Sequence, residues 1–228
     1  MKSLPTSTLF ITIVVALGGF VFGFDASVIA GTVNFITQEF ALTPWQQGMV
    51  VSAPTLGALI AMFFAGALSD HYGRKQTLLF VSLLYVVSAI FSALASSFEM
   101  LLTARFVGGL AFCSLMIAPM YIAEVSSAEH RGKLVSVNQF NIVLGLSASY
   151  FTNYALLTLS QSDAPWVGQL MLDSDVWRWM LALEIIPALL WFVLLFGIPE
   201  SPRWLSTKGR YVEAKTSLTR LNYIDVDS

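Results

Sequence analysis

The chain has 228 residues, of which 56% are hydrophobic and only 11% charged, with a formal net charge of −2. A soluble domain carries roughly 25% charged residues, so this composition excludes one and points to an integral membrane protein. The basic residues are scattered through short polar stretches and form no stripe, which excludes a nucleic-acid partner.

Six apolar runs are long enough to cross a bilayer as helices, a crossing that takes about 20 residues. They lie at about 9–35, 46–68, 76–96, 100–123, 133–159 and 177–198, with no strand-like alternation competing. The first run follows Lys2 but is too long for a signal peptide and carries a charge, so it reads as an uncleaved first helix. Gly18–Gly19 in the first run, Gly57, Ala61, Ala65 and Gly66 in the second, and Gly108–Gly109 in the fourth suit close helix contact in lipid. Cys113 is the single cysteine; it cannot form an internal disulfide and reads as a small packing residue. Residues 1–199 therefore read as one six-helix transmembrane domain. Residues 200–228 are polar and charged, read as helical linker at the membrane surface, and end at Asp225–Ser228 without a seventh apolar run.

Basic residues set the orientation. Lys2, Arg74, Lys75, Arg131, Lys133, Arg203, Lys208, Arg210, Lys215 and Arg220 fall on one side of the six-run pattern. Glu39, Glu99, Asp163, Asp173 and Asp175 fall on the other, where Arg178 at a helix boundary is the one basic residue. By the positive-inside rule both termini are cytoplasmic.

Three charges sit well inside the runs: Asp25, Arg105 and Glu184. A charge at the bilayer centre costs from roughly 2.5 kcal/mol upward, so each must face the protein interior and find partners. Counted from the outer helix ends, the three fall at comparable depth, within reach of long side chains. Arg105 keeps its proton and neutralises one carboxylate only. Two acids and one base leave an excess negative charge, and binding one proton is the least costly relief. Asp25 is the expected acceptor, because flanking glycines allow water or substrate to approach, and Glu184 would tune it. A static triad joining three helices accounts for the same residues.

Three polar stretches lie on the basic side. The first is Gly66-Ala67-Leu68-Ser69-Asp70-His71-Tyr72-Gly73-Arg74-Lys75. The second runs from Pro119 through Glu124 to Arg131-Gly132-Lys133, and the third is Pro199-Glu200-Ser201-Pro202-Arg203-Trp204-Leu205. Gly73 suits a tight turn with positive φ. Asp70 with Arg74, and Glu124 with Arg131, are placed to tie the ends of adjacent helices, and Glu200 with Arg203 extends that charged layer. Ordinary topology-setting charges explain any one of these stretches alone, whereas three at corresponding helix ends favour a gate.

With Gly23-Phe24-Asp25 in the first run, these stretches resemble the sugar-porter family of the major facilitator superfamily across essentially the whole chain, and in particular its bacterial proton-linked xylose-type symporters. The resemblance implies an all-α membrane protein: the six-helix amino-terminal half of a major facilitator fold, with 3+3 inverted repeats and a cytoplasmic helical tail. It implies sugar:proton symport by alternating access, with Asp25 as proton acceptor, Arg105 as its partner and Glu184 modulating the pair. It also implies sugar contacts from Phe22, Gln139, Ile142 and Leu146, and a cytoplasmic gate of Gly66, Asp70, Gly73, Arg74, Glu124, Arg131, Glu200 and Arg203. A neutral amide in a membrane suits hydroxyl recognition; for Gln139, hydrogen bonding between helices is an equally good account. The expected partners are a pentose, hexose or cyclitol, a proton, the lipid bilayer of a bacterial plasma membrane, and a missing carboxy-terminal six-helix half, since the family's substrate site lies between two halves. No cofactor or metal is expected. A facilitative uniporter and a sugar sensor are the competing readings; Asp25 argues against the first and the short tail against the second. An enzyme is not expected, because no nucleophile, metal cluster or phosphate loop accompanies the acids.

Overall fold

A computed structural model describes residues 6–162 and 164–221; Lys2, Asp163 and the 225–228 end lie outside the described residues. The described chain is helical through most of its apolar runs. The elements are α1 (Thr6–Glu39), α2 (Pro44–Tyr72), α3 (Arg74–Ala93), α4 (Phe98–Leu110), α5 (Ser114–Val125), α6 (Arg131–Ser160), α7 (Pro165–Gln169), α8 (Val176–Ala182), α9 (Ile185–Leu195), α10 (Pro202–Thr207) and α11 (Tyr211–Arg220). Six stretches are long and apolar enough to span a membrane: α1, α2, α3, α4 continued by α5, α6, and α8 continued by α9.

Local chemistry fixes where the helices begin and turn. Thr43 caps α2 by accepting from the Gln46 backbone N–H, the Gln46 side chain returns to the Thr43 backbone, and Pro44 occupies the first turn. This cap starts α2 at Pro44, ahead of its apolar run, and both α1 and α2 overrun the expected limits at each end. The third span stops at Ala93 rather than near 96, where Leu94 closes the last turn on the Ile90 carbonyl, 3.0 Å away. One residue joins α2 to α3: Gly73, at φ +101°, a backbone setting that a side chain disfavours.

Two spans are interrupted. Between α4 and α5 the chain tightens into a 3₁₀ turn over Ala111–Cys113. Between α8 and α9, Pro187 has no N–H to offer the Leu183 carbonyl, which accepts instead from Ile186 at 3.3 Å. Glu184 sits in this break.

The helices pack through small residues. A Cβ on Gly57 would strike the Phe106 carbonyl, and one on Gly109 would strike the Pro54 carbonyl, so α2 and α4 meet backbone to backbone. The α1–α6 seam is made in the same way, with Gly23 against the Ile142 carbonyl and Gly145 against the Phe20 carbonyl. Gly66 takes no such part; the nearest atom to its Cβ position is Met116 Cε, 3.8 Å away. Both described termini reach one end of the bundle, where the Thr8 hydroxyl donates to the Leu221 carbonyl at 3.0 Å. At the opposite end Arg178 donates to Glu39 (3.0 Å), Asp175 (3.0 Å) and the Ala95 carbonyl (2.5 Å), pinning α1, α3 and α8 together.

Candidate functional site

The three intramembrane charges converge from three spans. Arg105 forms an ion pair with Asp25 Oδ1 and places a second nitrogen 3.3 Å from the Asp25 carbonyl. Asp25, Arg105 and Glu184 are all buried. Glu184 lies near enough to both partners to interact with their charges. Asp25 Oδ2, Arg105 Nε and Glu184 Oε1 have no hydrogen-bond partner among the described residues. A buried layer thus holds two carboxyl groups, one guanidinium and unfilled bonding capacity on each.

The glycines beside Asp25 do not open a path to it, contrary to the sequence expectation. Gly18 is filled against the Trp191 ring, Gly23 against α6 and Gly31 against Asn153. They have been spent on helix contact, and the carboxylate they flank is fully enclosed.

One turn from Asp25 towards the α1 start, aromatic rings form a layer across four spans. Phe22 meets Phe112 edge-on at 4.7 Å between centroids, Phe112 lies 6.2 Å from Tyr85, and Tyr85 lies 6.1 Å from Trp191. Phe22 also borders a cleft of about 490 Å³ with Leu115, Pro119, Asn138, Gln139 and Ile142. Three residues implicated in sugar contact, Phe22, Gln139 and Ile142, therefore share one wall. Leu146 lies outside that cleft: its backbone packs against the Gly23 position and its side chain is exposed. Asn138 is a polar lining residue that the sequence reading missed. It is buried, and its Oδ1 has no partner among the described residues. Its signal was adjacency to Gln139 within an otherwise apolar run.

The polar stretches meet at the end of the bundle that carries α10 and α11. Arg74 bonds Asp70 at 2.8 Å and Glu124 at 3.0 Å. Glu124 also accepts from the Ser201 hydroxyl at 2.6 Å, and Glu200 accepts from the Lys75 backbone N–H at 3.0 Å. The Trp204 ring N–H donates to the Asp70 carbonyl at 2.9 Å. One expected pair is replaced, and the Glu200–Arg203 stretch divides between this layer and the exposed surface. Glu124 faces Arg74 instead of Arg131, and Arg131 is exposed at the start of α6. Glu200 turns towards the α3 backbone, leaving Arg203 exposed. The physical reason is the same in both: the first-turn N–H groups of α3 and the buried Arg74 need acceptors more than solvated arginines do. Gly66 lies one turn before Asp70 on α2, and its Cβ position faces Met116 Cε rather than a side chain of this layer. Burial raises the Glu200 carboxyl above its ordinary value, against the pull of the backbone N–H donors around it.

A bundle of six membrane-length helices with an enclosed ion pair, a polar-walled cleft and an interlocked charged end has the build of one half of a membrane carrier. Residues 11–228 match the family model for sugar (and other) transporters, and the chain belongs to that family. It is 37% identical over 207 residues to the arabinose-proton symporter of Bacillus subtilis, covering 90% of this chain and 43% of that protein. It is 36% identical over 221 residues to the galactose-proton symporter of Escherichia coli, covering 96% of this chain and 44% of that one. Among solved structures, the proton:xylose symporter XylE bound to 6-bromo-6-deoxy-D-glucose superposes with a TM-score of 0.85 at 34% identity, over 95% of this chain and 50% of that one. The partially occluded, inward-open xylose transporter XylE of E. coli gives the same TM-score at 33% identity, over 95% and 54%. The fold is thus that of half of a major facilitator transporter, and the chain spans about half the length of the curated relatives it matches.

Proposed function

We propose that the chain is the amino-terminal half of a sugar:proton symporter, and that it works with a second six-helix half. The observation that carries this reading is the enclosed layer in which Arg105 answers one of two carboxylates. Arg105 holds its charge, so a proton taken up by Asp25 cancels the excess and frees the guanidinium. Release of the pair loosens α1 from α4, which is the packing change that alternating access requires. Relatives named as arabinose-, galactose- and xylose-proton symporters support a small sugar as cargo. The cleft bordered by Phe22, Asn138, Gln139 and Ile142 would form one wall of the sugar site, the second half supplying the other.

In this reading residues 1–199 form the transmembrane domain and 200–228 begin a cytoplasmic linker, with both termini inside a bacterial plasma membrane. Asp70, Gly73, Arg74, Glu124 and Glu200 form the cytoplasmic gate, and Gly66, Arg131 and Arg203 stand at its margin. The chain carries cargo rather than transforming it.

In cells producing the protein that carries this chain, adding L-arabinose, D-galactose or D-xylose to an unbuffered suspension should alkalinise the medium. Asp25→Asn should abolish the alkalinisation while leaving sugar exchange. Sugar entry with no pH change in the parent protein would instead establish a uniporter.

A further inference from the structure

A cleft encloses a ligand, and the few polar groups set in its wall choose which one. The wall that Phe22 shares with α6 carries two consecutive amides, Asn138 and Gln139, in a cleft of about 490 Å³, a volume within the range of small-molecule sites. Neither side chain hydrogen-bonds another described residue. Gln139 is exposed and has solvent to bond. Asn138 is only 4% exposed. A buried amide left without partners costs about 1–3 kcal/mol, and native structures carry few of them.

The other asparagines of α6 show what a structural amide does here. Asn153 Nδ2 donates to the Val28 carbonyl at 3.2 Å and so ties α6 to α1, and Asn141 Nδ2 donates to the Val137 carbonyl of its own helix at 2.9 Å. Asn138 lies on the same seam as Asn153 and ties nothing. A Cβ on Gly19 would stand 3.0 Å from Asn138 Oδ1, so α1 backs the amide closely and encloses its oxygen. Nδ2 is the end left to face the cleft, beside apolar surface from Phe22 and Ile142. An amide packed in this way is set in position before any ligand arrives.

We propose that Asn138 is a sugar ligand and the specificity-determining residue of this wall, its Nδ2 donating to one sugar hydroxyl while Gln139 takes a different one. The assignment rests on the symport reading, with a neutral monosaccharide as cargo. Gln139 is free to turn and can donate or accept, so it tolerates changes in the hydroxyl it meets. Asn138 is backed by α1 and reads an oxygen in one place; a sugar without that oxygen leaves the buried amide unpaired, which is how such sites discriminate. Asn138 carries no charge and bonds none of Asp25, Arg105 and Glu184, so the choice of cargo is separable from proton uptake.

The test uses the protein that carries this chain, and whichever of L-arabinose, D-galactose and D-xylose raises its unfolding temperature most. Asn138→Leu keeps the side-chain bulk and removes the amide. Without sugar it should unfold no lower than the parent, because no protein hydrogen bond is lost, whereas Asn153→Leu should unfold lower. It should bind the intact sugar about tenfold or more weaker. Among monodeoxy analogues, one should bind Asn138→Leu no more weakly than it binds the parent, and Gln139→Leu should single out a different one. Asn138→Ala repeats the comparison if leucine is not accommodated. Parental affinity in both Asn138 variants, an equal loss for every analogue, or a fall in sugar-free unfolding temperature matching that of Asn153→Leu overturns the assignment while leaving the sugar site in place. A parent protein that none of the three sugars stabilises refutes the sugar reading, and the assignment with it.

Discussion

Arg105 cannot give up its charge, so what happens when it loses its partner is a matter of burial alone. Arg105→Met would strand the Asp25 carboxylate in the enclosed layer and should cost about 3–5 kcal/mol of stability. The double variant Asp25→Asn/Arg105→Met should recover most of that loss, and thermal unfolding in detergent reads both. Glu200 gives a pH dependence of definite sign. Its carboxyl is raised above the ordinary 4.5 chiefly by burial, so the folded chain holds that proton to higher pH than the unfolded chain does. The contribution is complete below pH 4.5 and is lost as pH rises through the raised value. Glu200→Gln should therefore flatten the decline in unfolding temperature across that window. At this scale the sequence was legible wherever a charge was rare. Asp25, Arg105 and Glu184 stand out in apolar runs, and the structure gathers them. The loop charges were not separable in this way, since spacing cannot tell whether Glu124 will meet Arg131 or the less solvated Arg74.

Helix contacts were legible in part. Gly57 and Gly109 do mediate the α2–α4 crossing, whereas Gly108 is filled by Ser88 of α3. The longer series Gly19, Gly23, Ser27 and Gly31 follows the same four-residue spacing, but Asp25 within it drew attention to access rather than packing. Hydropathy also fails to show breaks. The Ala111–Cys113 turn has no proline or polar residue of its own, and nothing in its composition separates it from regular helix. Gly109→Ala tests the crossing: its Cβ would be driven into the Pro54 backbone, which has no side-chain freedom to yield. The expected loss is about 1–3 kcal/mol, measurable as a lowered unfolding temperature. Gly132→Ala, where nothing lies within 4 Å, should leave it unchanged.

For the whole molecule, an even number of spans returns the chain to the side where it began, as the Thr8–Leu221 hydrogen bond shows directly. Which side that is follows from charge. Tags on both termini should resist protease in sealed right-side-out vesicles and be cleaved after permeabilisation; cleavage of either in sealed vesicles would reverse the orientation. The six spans and their order were legible because length and apolarity alone define them. The aromatic layer was not, because Phe22, Tyr85, Phe112 and Trp191 belong to different spans and meet only when the bundle closes.

The proposed symport turns on one event, the arrival of H⁺ at a carboxylate that is enclosed and paired with a guanidinium. An infrared pH titration of the chain in lipid tests it most directly. The account predicts a carboxylic acid band that grows on acidification and is missing from Asp25→Asn. A band that persists unchanged in Asp25→Asn and disappears in Glu184→Gln would contradict it.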